Sequence, residues 1–246
     1  GALWLGDFEH GPLVIQQGQA INTHLSAWID CHSRYIVEAS YYVRENLDIL
    51  VDSLLRAWGS HGASRELYVD NAKIYHAKAL QLACTQLNIK LLHRPPRDAA
   101  PGGLIERFFQ TCQTQFEAEV RASQILTLDE LNRALAAWLE MAYHQEVNRE
   151  TGQTPHERYH QKPRLIRQVN LGDVLSFFHH RVFRTVDEDH SDVRIDHLFF
   201  AVDPKLRGDH VIVEYDPFSP LQEVQLYSPT DIYLGRGKRY QRERGS

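Results

Sequence analysis

The sequence predicts an α/β domain built on a mixed sheet, followed by a small all-β barrel. Strand-like segments open the chain, strands and helices then alternate over residues 45–92, and short strand-like segments fill the chain beyond residue 173. The 246 residues are enough for a mid-sized domain with its own core plus a small second domain.

Three segments near the amino terminus read as strands, at residues 3–8, 13–17 and 34–43. Apolar residues of the third segment alternate along one face: Tyr35, Val37, Ala39, Tyr41 and Val43. Gly11-Pro12 and Gly18 supply breaks between the first segments. This pattern predicts an antiparallel meander.

The next segments alternate between helical and strand patterns. Residues 45–58 and 72–87 have apolar side chains at helical spacing, whereas 66–69 and 89–92 are short apolar runs typical of buried strands. Strands separated by helices, after a meander, favour a mixed sheet with helices packed on it.

Two further helices are predicted after a proline-rich turn and a glycine loop. The first spans 104–121, and the second begins at Thr127, whose hydroxyl forms a capping box with Glu130.

The predicted regions are a core at 1–147, a linker at 148–172, a barrel at 173–236 and a basic tail at 237–246. Glycine and proline among charged residues indicate the linker. The tail is expected either to bind DNA phosphates or to be disordered in the free protein. The barrel is predicted from seven short segments: 174–178, 183–186, 193–195, 199–202, 210–215, 223–226 and 232–234.

Composition narrows the functional class. The chain has no apolar stretch of the roughly 18 residues that a membrane helix needs and no signal-peptide pattern, so we expect a cytoplasmic protein without a membrane partner. Its three cysteines form no CxxC pair, which argues against a zinc site or a disulfide framework. The net charge of -5 argues mildly against nucleic acid, but the acids concentrate at 45–52 and 117–130. The start of the chain, shortly before the first candidate acid, suggests an excised core.

Three acids stand at the ends or edges of predicted elements: Asp7, Asp70 and Glu106. Asp7 lies in an apolar strand, where a carboxylate is costly unless a cation pairs with it. Asp70 closes a buried strand, the position at which active sites of α/β sheets gather. Carboxylates are the ligands that Mg²⁺ and Mn²⁺ prefer, and two such ions about 3.5–4 Å apart can clamp a phosphoryl transfer.

The flanking residues resemble those of DDE transposases and retroviral integrases. The motifs that carry the resemblance are Trp4-Leu5-Gly6-Asp7, Ser33-Arg34, Asp70-Asn71-Ala72 with Tyr75, Pro95-Pro96, Pro101-Gly102-Gly103-Leu104-Ile105-Glu106-Arg107 and Thr151-Gly152-Gln153-Thr154-Pro155. Asp70 and Glu106 are separated by 35 residues, the spacing characteristic of that superfamily. The later segment around Phe199-Phe200 and 211–217 is similar to the barrel that follows the core of bacteriophage Mu-like transposases.

The resemblance implies an RNase H-like five-stranded mixed sheet with flanking helices, on which Asp7, Asp70 and Glu106 are the catalytic residues. It implies that they hold Mg²⁺ or Mn²⁺, as two ions, for phosphodiester hydrolysis at transposon ends and strand transfer into target DNA. The expected partners are double-stranded DNA, further copies of the chain assembled on that DNA, and a target-selecting ATPase. A DNA-binding role for the barrel rests on analogy.

The residues expected to contact DNA are Asn71, Lys73, Arg94, Arg97, Arg107, Gln110 and Gln113. Many relatives have cations where this chain has Gln110 and Gln113, and a lysine or asparagine near Gly102. The core is therefore expected to be short of positive charge, with Lys73 and the three arginines as substitutes.

Several alternatives stay open. The chain could be a nuclease that only cleaves, or an inactive domesticated transposase that serves as a DNA-binding or assembly module. Asp30 is a further metal ligand or a turn residue near Arg34, and Arg107 contacts DNA or forms a structural ion pair. His10 is better explained as a surface histidine than as a ligand of a hard ion. His179 and His180, adjacent in a predicted strand, point to opposite faces.

Overall fold

The computed structural model describes residues 2–95, 103–123, 127–161 and 167–242. The chain divides into two compact units, Gly1–Val174 and Leu175–Ser246.

The first unit is built on a mixed five-stranded sheet. Its strands are β1 (Leu3–Gln16), β2 (Gln19–Asp30), β3 (Ile36–Tyr42), β4 (Glu66–Val69) and β5 (Lys90–His93). The order across the sheet is β3-β2-β1-β4-β5. Strands β1, β2 and β3 pair antiparallel, whereas β4 and β5 run parallel to β1. The predicted mixed sheet is confirmed.

The helices of this unit are α1 (Leu47–His61), α2 (Lys78–Gln86), α3 (Gly103–Thr111), α4 (Ala118–Ala122), α5 (Leu128–Met141), α6 (Pro155–His160) and α7 (Gly172–Leu175). A π-helical segment, Cys112–Glu117, joins α3 to α4. The capping box predicted at Thr127 and Glu130 begins α5.

Helices cover both faces of the sheet. Leu5, Leu25 and Ile29 pack with Phe108 of α3 and Leu135 of α5 in one buried cluster. On α1, the Ser53 hydroxyl accepts hydrogen bonds from the Trp28 indole at 3.0 Å and the Ser26 hydroxyl at 2.9 Å. These contacts fix β1 and β2 between two helical layers.

Four elements differ from their predictions. Strand β2 has no predicted counterpart, and the two strands predicted at 3–8 and 13–17 are one strand, β1, with an irregularity between His10 and Leu13. The helix predicted at 72–87 is a 3₁₀ turn, Lys73–His76, followed by α2, because Ala77 between them is extended.

The fourth difference lies at the domain boundary. Residues 174–178, predicted as a strand, are helical in α7 and in the 3₁₀ turn Ser176–Phe178. A five-residue apolar run fits either structure, and periodicity alone does not separate them.

The second unit is a nearly closed antiparallel barrel of six strands. These are β6 (His180–Thr185), β7 (Asp192–Ile195), β8 (Leu198–Ala201), β9 (His210–Tyr215), β10 (Glu223–Tyr227) and β11 (Tyr233–Tyr240). Their order is β6-β9-β10-β11-β8-β7. Val193, Phe200, Val211, Val213 and Leu226 are among the buried side chains of its core. The predicted small all-β barrel is confirmed.

The predicted regions can be set beside the two compact units. The first unit runs to Val174 and includes residues 148–172, the predicted linker, where the Arg167 guanidinium donates to the carbonyls of Ser64, Leu87 and Asn88. Strand β11 continues to Tyr240, inside the predicted basic tail. Within the described ranges, no helix is both long and apolar enough to cross a membrane.

Candidate active site

Asp7 lies on β1, and Asp70 directly follows β4, the neighbouring parallel strand. Gly6 of β1 is in register with Val69 of β4, so Asp7 and Asp70 are the next residues along two adjacent chain segments. Neighbouring strands are about 4.8 Å apart. The register therefore brings together two acids that are 63 positions apart in the chain.

A close backbone approach fixes the position of Asp7. A Cβ atom at Gly6 would lie 2.1 Å from the Trp28 ring, so only glycine fits there without displacing a fully buried indole. The Asp7 carboxylate accepts a hydrogen bond from the Phe8 N–H at 2.9 Å, and its side chain is 21% exposed.

Arg94, just beyond β5, connects the first acid to the third. Its guanidinium lies 3.1 Å from the Glu106 carboxylate and 3.9 Å from that of Asp7. The Arg94 N–H donates to the Val69 carbonyl at 2.8 Å, and its own carbonyl accepts from the Asn71 amide at 3.0 Å. The backbone of Arg94 is thus tied to the strand that carries Asp70.

The acids influence one another electrostatically. Burial raises the pKa of Asp7 from 3.8 to about 6, and repulsion by Asp70 and Glu106 adds to this effect, while the Phe8 N–H and Arg94 oppose it. The Asp70 carboxylate accepts the Ala72 N–H at 2.8 Å. The three carboxylates therefore share one electrostatic environment that favours a cation.

Tyr75 is close enough to Asp7 and Asp70 to interact with their charges, a role that the motif in the sequence does not predict. Its ring is buried and its hydroxyl has no hydrogen-bond partner in the part of the chain that the structure describes. Burial, followed by the charges of Asp7 and Asp70, raises the pKa of its phenol, which therefore stays protonated. Its signal in the sequence is an aromatic residue one helical turn after Asp70-Asn71-Ala72.

The acids suit a divalent metal by their chemistry. Carboxylate oxygens are the ligands that magnesium prefers, and the guanidinium of Arg94 shows that a cation is accommodated between Asp7 and Glu106. Among the described residues, no three His, Cys, Asp or Glu side chains are grouped closely enough to hold an ion. Glu106, whose side chain is 56% exposed, has room to turn towards the two aspartates.

The residues predicted to contact DNA occupy different environments. Asn71, Lys73 and Gln110 are exposed, whereas Gln113 is half-buried. Arg94 pairs with the acids, and Arg107 pairs with Glu150. Arg97 lies outside the described residues, as does Gly102. The DNA contacts of all seven stay predictions.

The alternative metal residues have other partners. Asp30 is fully buried and accepts from the Ser33 N–H at 3.0 Å and the Ser33 hydroxyl at 2.5 Å, as expected of a turn residue. His10 is exposed. His179 faces Glu214 at 3.3 Å, whereas His180 faces the Tyr215 hydroxyl at 3.3 Å.

Comparisons with known proteins agree with this architecture. The family model described as the TnsB C-terminal domain matches residues 42–121, less than half of the chain but including Asp70 and Glu106. No curated protein matches the chain.

Three solved structures share the fold. The magnesium-bound catalytic core of HTLV-2 integrase, in its trimeric form, has a TM-score of 0.51 and 21% identity over 65% of this chain and 96% of that one. The BIV integrase catalytic core has a TM-score of 0.51 and 19% identity over 65% of this chain and 93% of that one. A chain of the simian T-cell lymphotropic virus intasome in complex with the PP2A regulatory subunit B56 gamma has a TM-score of 0.56 and 20% identity over 98% of this chain and 80% of that one.

The first unit therefore has the fold of an integrase catalytic core. Residues 42–121 are, in addition, similar to the TnsB C-terminal domain family.

Proposed function

We propose that this chain is the catalytic part of a DDE-type DNA transposase, which hydrolyses phosphodiesters at transposon ends and transfers the freed strands into target DNA. One observation carries the proposal: Asp7 on β1 stands beside the end of the adjacent parallel strand β4, where Asp70 follows, and Arg94 links Asp7 to Glu106. A site of three mutually repelling carboxylates around a cation suits divalent-metal chemistry on phosphate.

Asp7, Asp70 and Glu106 would hold the metal. Bound Mg²⁺ or Mn²⁺, as two ions, would lower the pKa of the attacking water or 3′-hydroxyl and offset the charge that develops on the phosphate. The magnesium in the HTLV-2 integrase core supports this choice of ion.

The protein's own residues prepare the site. The raised pKa of Asp7 means that its carboxyl retains a proton below about pH 6 unless a cation is near. Arg94 holds Asp7 and Glu106 in place, and it must release both carboxylates when they bind an ion. The buried Tyr75, which interacts electrostatically with Asp7 and Asp70, stays protonated and adds no charge to the site.

The expected partners follow from the same proposal. The intasome form of the simian viral relative supports double-stranded DNA as the substrate and assembly of several copies on it. The target-selecting ATPase and the cytoplasmic location stay predictions.

A joining assay tests the proposed function. The chain is incubated with a pre-cleaved oligonucleotide from the element's own ends, target DNA and Mg²⁺ or Mn²⁺. We expect joined products from the wild type and from Glu146→Gln, but none from Asp7→Asn, Asp70→Asn or Glu106→Gln.

The outcomes separate the alternatives. Cleavage without joining would indicate a nuclease, whereas DNA binding without either reaction would indicate an inactive module. Joining that continued unchanged in all three acid variants would contradict the proposed site.

A further inference from the structure

We propose that Arg34 and Arg107 form a binding site for a backbone phosphate of DNA, and that the Glu150 carboxylate holds this site as an internal phosphate mimic. The inference deepens the proposed function, since it takes DNA as the ligand. It concerns a hollow beside α3 that contains none of Asp7, Asp70 and Glu106.

Two arginines from distant parts of the chain meet at one carboxylate. Arg34, between β2 and β3, lies 3.4 Å from one carboxylate oxygen of Glu150, and Arg107 of α3 donates to the other. Guanidinium groups bind carboxylates and phosphates with the same forked geometry. One carboxylate between two guanidiniums leaves an excess positive charge.

Arg34 is held in place before any ligand binds. Its N–H donates to the Asp30 carbonyl at 2.8 Å, its carbonyl accepts from the Tyr143 hydroxyl at 3.2 Å, and its guanidinium donates to the Cys31 carbonyl. Its side chain is only 21% exposed, and its backbone has a φ of 67°, a left-handed conformation. An arginine fixed in this way loses little conformational entropy when it binds an anion.

The Glu150 side chain, in contrast, is half exposed and can turn away from the two arginines. Asn148 accepts the N–H groups of Glu150 at 3.0 Å and Thr151 at 3.2 Å, so the turn is fixed while the carboxylate is 50% exposed. The adjoining hollow has a volume of about 280 Å³, several times the roughly 30 Å³ that a water molecule occupies in the liquid. A phosphate group fits where the carboxylate now lies.

The contact contributes little to folding, which makes a binding role the better explanation. Exposed ion pairs add little to stability because solvent screens the charges and the side chains lose conformational entropy. Arg107 directly follows Glu106 on α3, so a phosphate held there lies beside the catalytic helix. The site would thus hold DNA next to the reacting phosphate. Its two arginines would supply positive charge that Gln110 and Gln113 do not.

DNA binding without divalent metal tests this inference. Fluorescence anisotropy with a duplex, in EDTA and at about 50–200 mM salt, compares the wild type with Glu150→Gln and with Arg34→Gln/Arg107→Gln. The matched control is Glu146→Gln, which removes an equal, exposed charge from the same segment.

Glu150→Gln should bind DNA about threefold to tenfold more tightly, and the double arginine variant about tenfold more weakly with a shallower salt dependence. Glu146→Gln should change binding less than about twofold, and Glu150→Gln should have no effect in the double arginine background. An equal gain from Glu146→Gln and Glu150→Gln, or a gain that persists without the arginines, would overturn the inference. Inorganic phosphate that binds the hollow while all variants bind DNA equally would also overturn it.

The test depends neither on the folding of the double arginine variant nor on catalytic activity. If the double arginine variant does not fold, the comparison of Glu150→Gln with Glu146→Gln still decides. The binding test contains no metal and therefore does not depend on catalysis. If the variants bind DNA as expected but the wild type does not join DNA, the proposed function is refuted and the phosphate site is not.

Discussion

At the scale of single residues, Asp7 stores unfavourable energy in the folded protein. Its pKa is about 6 in the fold against 3.8 in an open chain. Between these pH values the folded state binds the additional proton, so the free energy of unfolding falls as pH rises from about 4 to 6 and stays low above that range. A cation would offset this cost.

Asp7→Asn should therefore be more stable than the wild type at about pH 7.5, by about 1–3 kcal/mol, and equally stable near pH 4. Urea unfolding at both pH values measures the difference. Asp129→Asn, whose carboxylate is 81% exposed, is the control and should show no comparable pH dependence. A wild type more stable than Asp7→Asn at the higher pH would contradict the assignment of Asp7 as a strained ligand.

The Tyr75 hydroxyl offers a second residue-level test. Because it has no hydrogen-bond partner among the described residues, Tyr75→Phe should leave the free energy of unfolding unchanged or raise it by up to about 1 kcal/mol. Tyr41→Phe removes a hydroxyl that donates to the buried Glu117 at 2.8 Å and should cost about 1–3 kcal/mol. If Tyr75→Phe and Tyr41→Phe lost equal stability in thermal unfolding, the Tyr75 hydroxyl would have a hydrogen-bond partner.

At the scale of elements, the close packing of β1 against β2 fixes the strand that carries Asp7. Gly6→Ala should destabilise the fold by more than about 2 kcal/mol, since the new methyl group would overlap the Trp28 ring. Gly59→Ala in α1 is the control, with its nearest neighbour, a Leu171 methyl, at 3.7 Å, and should be neutral or stabilising. Similar effects of the two substitutions in urea unfolding would refute the packing argument.

Elements with a clear apolar period could be predicted from the sequence, and β2 could not. Ser26, Ala27, Trp28, Ile29 and Asp30 are all buried, so both faces of this strand are covered. Its polar groups form hydrogen bonds with residues that are distant in the sequence, such as Ser53 on α1. The strand therefore lacks the alternation of apolar and polar residues that would reveal it in the sequence. The spacing of Asp70 and Glu106 can be read directly from the sequence. The ion pairs of Arg94 with Asp7 and Glu106, and the shared contact of Arg34 and Arg107 with Glu150, depend on tertiary structure.

At the scale of the whole molecule, metal binding should be confined to the first unit. Hydrogen exchange with and without Mn²⁺ should show added protection in peptides that cover β1, the end of β4 and the start of α3. Peptides from β6 to β11 should not change, because none of the three acids lies in the barrel. Equal protection in both units would contradict a single metal site at these acids.

The central claim is that Asp7, Asp70 and Glu106 together hold the catalytic metal, and Mn²⁺ affinity in the presence of duplex DNA tests it most directly. Titration by isothermal calorimetry compares the wild type with Asp7→Asn, Asp70→Asn and Glu106→Gln, with Glu146→Gln as the control. Each acid variant should lose at least about tenfold in affinity while the control keeps it. Wild-type affinity in all three acid variants would contradict the account.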